Sequence, residues 1–416
     1  MTDPEKHVPV DPRLDAFEAE ANALAAAVAR GDGPARASVE RWLGRPPASG
    51  PAALPDVRAA LAAAYGVSGW NRLEQACAVC AAIRADDIQR LAELLAENPR
   101  LLHENARGTA QCNWGPPLSY AANLGRDQVL EWLLDRGAPD LAHAFDRACL
   151  QGRIETARLL HARGARPRRG AVMGPAETQD GAGMEYLLSI GAEIADADGD
   201  PWAPVALVLE TYCRDATGRG QCLECFARHG IALPDSPTMD FFRRRWDRLF
   251  ERLRADPELG TRRFSHREIW PPSIGCHADP SLALHGTPLA GATLLHLAVD
   301  FDEIGFLRDW LDAGVDPDAR AAMDSDGFGG HTALFGTVVS QARSTGSTNG
   351  DRAAALLLEH GADPGVRASL RKRIRFHVDE TEHVYREVTA AQWGRAFHGR
   401  QWVDWAAVER IERAGG

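Results

Sequence analysis

The stretch from Gly291 to Arg320, GATLLHLAVDFDEIGFLRDWLDAGVDPDAR, most limits what this chain can fold into. Thr293-Leu294-Leu295-His296-Leu297-Ala298 opens a short helix. Glu303 to Asp312 then carries Ile304, Phe306, Leu307, Trp310 and Leu311 at helical spacing, which makes one face of a second helix apolar. Gly314 stops that helix, because glycine takes the left-handed conformation at a helix end without steric penalty. Asp316-Pro317-Asp318 follows as a turn. A helix pair of this size cannot bury its apolar face alone, so it requires similar neighbours on either side.

Such neighbours recur along the chain. Residues 78–105 read as a helix pair linked at Ala85-Asp86-Asp87. Further units end at Gly137-Ala138, Gly164-Ala165, Gly191-Ala192 and Gly230, with stop glycines 27, 27 and 39 residues apart. After the opening unit comes another, from His331-Thr332-Ala333-Leu334-Phe335 to Asp363, interrupted by the Ser/Thr/Gly stretch at 344–350. Residues 367–389 are expected to form its extended finger, and 389–407 a last, more polar unit. Residues 236–260 fit either one more helix pair or a single long helix.

Thr293-x-Leu295-His296-x-Ala298 resembles the T-P-L-H-x-A signature of ankyrin repeats, with Leu294 in place of proline. Residues 356–363 match the end of such a repeat. The stretch VRAALAAAYGVSGWNRLEQA is similar, at Tyr65-Gly66, Ser68, Trp70 and Leu73, to a segment that precedes ankyrin repeats in bacterial proteins. The resemblance implies an all-α ankyrin-repeat solenoid of irregular helix-turn-helix units with short finger loops and an N-terminal helical cap. It places a disordered tail at 1–11, an N-terminal helical segment, linker and cap at 12–73, and the repeats at 74–416 with an insertion at about 262–285. The Pro/Gly/Ala stretch at 44–56 is the linker. For His296 it implies hydrogen bonding to neighbouring loops rather than catalysis.

Charge and composition narrow the function. The 416 residues are 45% hydrophobic and 25% charged with a net charge of −11, which disfavours general nucleic-acid or anionic-membrane binding. No apolar run reaches membrane-spanning length, and the N-terminus shows no signal peptide. The eight cysteines are therefore expected as reduced thiols in a cytoplasmic protein. No Walker loop, nucleophile elbow or dinucleotide fingerprint is present.

Cys77-x-x-Cys80 and Cys222-x-x-Cys225 have zinc-like spacing, but pairs several repeats apart cannot share an ion, so core packing is expected and no metal or cofactor. The basic run Arg243-Arg244-Arg245-x-x-Arg248 alternates with acids and aromatics and is expected as a solvated face; for Arg371-Lys372-Arg373 internal ion pairs come first. Long insertions in stacked repeats map to one face. The expected binding surface for a protein partner is accordingly Trp270, His277, His285, Phe328, His331, Arg371 and Arg373. The leading expectation is an interaction scaffold without catalysis. The alternative is an enzyme or small-ligand binder, in which the 262–285 insertion roofs a groove where His277, His285, Asp300 and His331 converge.

Overall fold

A computed structural model of the chain describes residues 6–48, 53–109, 112–277, 286–374 and 381–415. They are predominantly helical and form two compact units, 1–168 and 169–416.

The first unit begins with the helices Leu14–Ala29, Gly33–Leu43 and Ala53–Ala64. The first two break at the expected Gly/Pro turn, where the Asp32 carboxylate accepts from the Ala35 N–H at 2.9 Å and caps the second helix. Their apolar faces meet through Ala21, Val28, Val39, Val57 and Leu61. Val8, Phe17 and Val67 then close over Leu73 and Cys77 of the next helix, Trp70–Arg84. Trp70–Arg84 pairs with Ile88–Glu97. Pro117–Leu124 with Asp127–Leu134, and Leu141–Leu150 with Ile154–Ala162, follow, and the first helix of each pair packs on the first helix of the one before.

The second unit begins with Met173–Thr178 and Gly181–Ser189, then Ala203–Glu210 and Ala216–Arg228. Residues 236–260 resolve into a pair, Pro237–Phe242 and Trp246–Ala255, broken where Arg244 takes a left-handed φ of 57°. The pairs Leu294–Asp300 with Ile304–Asp312, Ala333–Val338 with Gly350–Glu359, and Ala390–Ala396 with Trp405–Gly415 complete it. The insertion is ordered over 262–277: it holds the short helix His266–Ile269, and Phe264, Ile269, Trp270, Ile274 and Cys276 are buried.

Two expectations need correction. The fold is not purely helical with short loops, because Ala368–Lys372 (β1) and His383–Val388 (β2) form an antiparallel pair. Bridges from Arg320 to Thr332, Met323 to Gly329 and Gly329 to Ser369 extend it into the preceding finger, giving one small β platform. The run 243–248 is not a solvated face either: Arg243 and Arg245 both pair with Glu224, Arg244 with Glu303, and Arg248 with Asp235 and Asp240.

Helix-to-turn fit is tight at Gly218, where an added Cβ would lie 1.9 Å from the Gln179 carbonyl oxygen. Gly218→Ala is expected to destabilise the second unit by roughly 1–3 kcal/mol, because the backbone of Gln179 must move. The urea midpoint measures it, and an unchanged midpoint would contradict that packing.

Candidate functional site

The finger from Arg320 to Thr332 turns through Gly-Phe-Gly-Gly. The Asp324 carboxylate accepts the N–H groups of Asp326 and Phe328, both at 2.9 Å. Gly329 has a φ of 110° and lies so close to Ala322 that a Cβ would sit 2.0 Å from its carbonyl oxygen. This turn delivers Phe328 between two guanidinium groups, Arg371 at 4.8 Å and Arg386 at 3.8 Å from its ring centre. Arg371 also pairs with Asp324 at 2.7 Å and Asp326 at 3.3 Å. The Phe328 N–H, then the Asp326 N–H and the Arg371 charge, hold the Asp324 carboxyl below its usual range. Beside this clamp, Met323 is 68% and Val384 53% exposed, and Arg373 is exposed at the end of β1. The arrangement is a rigid, partly apolar surface flanked by arginines.

A second, buried centre lies under the insertion. The Trp270 indole N–H donates to the Leu209 carbonyl at 3.3 Å, and the side chain is only 7% exposed. His277 is exposed, and its N–H and Nδ1 meet the two Glu210 carboxylate oxygens at 2.6 and 2.7 Å. Glu210, Arg214, Trp270, Thr287, Asp300 and Gln341 line a cavity of about 10 Å³, room for about one water molecule. Asp300 accepts from Arg214 at 3.1 and 3.2 Å and from the Gln341 N–H at 2.9 Å. Burial lowers the buried Lys372 ammonium to about 7, although the negative charge of Asp300 opposes the shift.

The histidines of the repeat signature form a separate relay. His296 Nε2 donates to the His331 carbonyl at 3.0 Å, and its Nδ1 accepts from the Thr293 hydroxyl at 2.9 Å. His331 Nε2 donates in turn to the Pro288 carbonyl at 3.0 Å. Both rings are buried, and desolvation lowers His296 to about 4 and His331 to about 3. These are loop-tying imidazoles held neutral.

The expected surface residues therefore divide. Arg371 lies over the Phe328 ring, Arg373 is exposed at the end of β1, and His277 is exposed on the insertion. Trp270, His331 and Phe328 are corrected: all three are buried, the first two because their ring nitrogens reach backbone carbonyls of other segments, and Phe328 because Arg371 and Arg386 cover its ring. His285 lies outside the described residues. Asp300 lines the small cavity and His277 reaches it only through Glu210, while His331 is absent from its lining. Sequence reasoning missed Met323, Val384 and Arg386. The two β2 residues share one parity along the strand, a period-2 signal that was available once β2 was drawn.

Six of the eight cysteines are buried, while Cys112 and Cys213 are half-buried. Cys77, Cys80, Cys222 and Cys225 are buried, and burial pushes the Cys80 thiol up to about 12. Among the described residues no group of three His, Cys, Asp or Glu side chains is arranged to hold a metal ion. In the first unit Ser119, Asp140 and His143 do meet. The Ser119 hydroxyl donates to Asp140 and lies 2.8 Å from His143 Nδ1. In a hydrolytic triad the serine and the aspartate engage opposite ring nitrogens; here both lie on the Nδ1 side, and Ser119 is fully buried. Ser119 occupies the position of His296 in its own unit, so the trio ties consecutive helix pairs.

No protein-family model matches the chain, and no curated protein is similar to it by sequence. Among solved structures it is similar to the human ASB11 ankyrin repeat domain, at 14% identity over 80% of this chain and 96% of that one, with a TM-score of 0.22. Among the described residues no helix is long and apolar enough to cross a membrane.

Proposed function

We propose that the chain is an ankyrin-type solenoid that serves as a protein-interaction scaffold without catalysis, with residues 12–73 capping a stack over 74–416. The observation that carries this reading is the finger platform of Phe328, Arg371 and Arg386, with Met323 and Val384 exposed beside it. A clamped aromatic framed by guanidiniums and exposed apolar side chains presents a pre-organised surface, which lowers the entropy lost on binding. The buried centre favours this reading over small-molecule chemistry, because its charges already satisfy one another around a space of about one water.

Affinity capture from a lysate of the source organism tests it. Arg371→Glu/Arg373→Glu is expected to lose at least one protein that the wild type retains, with helicity unchanged by circular dichroism. Identical capture lists would remove this finger from the binding surface.

A further inference from the structure

From the Phe328 clamp, which supplies Arg386, the finger segments of the second unit carry further exposed arginines, Arg263, Arg320 and Arg367, tied in series through the Arg320 and Arg367 backbone carbonyls. Arg263 Nε donates to the Arg320 carbonyl at 2.9 Å. Arg320 donates to the Gly330 and Arg367 carbonyls at 3.4 and 3.5 Å. Arg367 donates to the Glu387 carbonyl, and the neighbouring Arg386 to the Asp326 carbonyl at 3.4 Å. All four side chains belong to exposed residues, and among the described residues none of them forms an ion pair with a carboxylate.

A carbonyl fixes the direction of a guanidinium without cancelling its charge, and it leaves most of the five donors open. The nearby carboxylates make their hydrogen bonds to backbone N–H groups or to Arg371, although the charge of Arg320 acts on Asp318. Asp318 accepts the Asp363 N–H, Asp316 accepts the Asp318 N–H, and Asp324 and Asp326 hold Arg371. A chain with a net charge of −11 thus keeps four oriented cations in sequence along its fingers.

We propose that the row Arg263, Arg320, Arg367 and Arg386 is a docking strip for an extended acidic segment of a partner protein. The proposal rests on the scaffold reading and names the chemistry of the partner. Carboxylates suit it because each fits the planar guanidinium fork with two parallel hydrogen bonds. A nucleic acid fits less well, because no open aromatic platform for base stacking stands beside the row among the described residues: Phe328 is covered by Arg371 and Arg386, and Trp270 is buried.

Fluorescence anisotropy with a short labelled polyglutamate peptide and the full chain tests the strip, with an oligouridylate of equal charge as the competitor class. The peptide is expected to bind at low salt and to weaken steeply between about 50 and about 200 mM salt. Arg320→Glu/Arg367→Glu should weaken it by about tenfold or more. Arg320→Gln/Arg367→Gln should weaken it less, because the amide still donates to the carbonyl while the charge is gone; this pair decides the matter if the reversal variant fails to fold. No peptide binding at low salt, equal binding by the variants, or preference for the oligouridylate would overturn the strip. A silent peptide with partners still lost on Arg371→Glu/Arg373→Glu would overturn the acidic strip alone; unchanged capture lists remove the scaffold reading on that finger.

Discussion

Glu303→Ala is expected to lower the stability of the second unit by about 3–5 kcal/mol, as removal of one partner of a buried ion pair does. Arg219 is fully buried, donates to Glu303 at 2.6 Å and to the Phe242 carbonyl at 3.2 Å, and lies against the Phe301 ring at 5.0 Å. Arg244 reaches the same carboxylate from the break between Pro237–Phe242 and Trp246–Ala255. Three consecutive helix pairs therefore converge on one side chain. Burial raises the Glu303 carboxyl and lowers the Arg219 guanidinium to about 10, so desolvation outweighs mutual attraction on both partners. The pair is consequently a poor source of net stability and a severe liability when halved. Arg219→Met/Glu303→Leu should recover most of the loss. Urea titrations of the two variants measure both effects. A single-variant loss no larger than that of a surface pair, about 1 kcal/mol or less, would contradict the burial of this centre.

Acid is expected to weaken the second unit before its carboxylates dominate the titration. Unfolded histidines take up protons near pH 6.5, whereas His296 and His331 remain neutral down to about 4 and about 3. Between those values the unfolded state binds more protons, so stability falls as pH falls and is fully present above 6.5. Each group contributes about 1.4 kcal/mol per pH unit in that window, which amounts to roughly 5 kcal/mol for the two by pH 4.5. His360 works in the opposite direction, since hydrogen bonding to Asp312 raises it, but it is exposed to solvent screening. The test is urea denaturation at pH 7 and pH 4.5, with His296→Gln/His331→Gln alongside. The variant should lose much of the pH dependence; the same dependence in both proteins would assign it to other groups.

Much of the local architecture was legible in the sequence. The break at Gly31–Pro34, the helix pair at 293–312 and the stop at Gly314 each follow from residues within one or two turns. The finger at 367–389 was also expected, though its pairing as strands was not. Of the candidate surface residues, Arg371, Arg373 and His277 stay at least partly open to solvent, as side chains on loops and strand ends commonly do. Arg386 was overlooked because a guanidinium lying over a ring 58 residues earlier leaves no mark in local spacing.

What the sequence determined, then, is the set of helix pairs and their ends, because hydrophobic period, caps and glycine conformations act over a few residues. Only the tertiary structure decided which polar side chains are available. Trp270 and His331 looked like surface groups until Leu209 and Pro288 supplied the carbonyls that let their ring nitrogens be buried. Arg263, Arg320, Arg367 and Arg386 are far apart in the chain, and successive fingers bring them into one exposed row. Burying a polar group requires a partner, and those partners come from distant segments that no local pattern records.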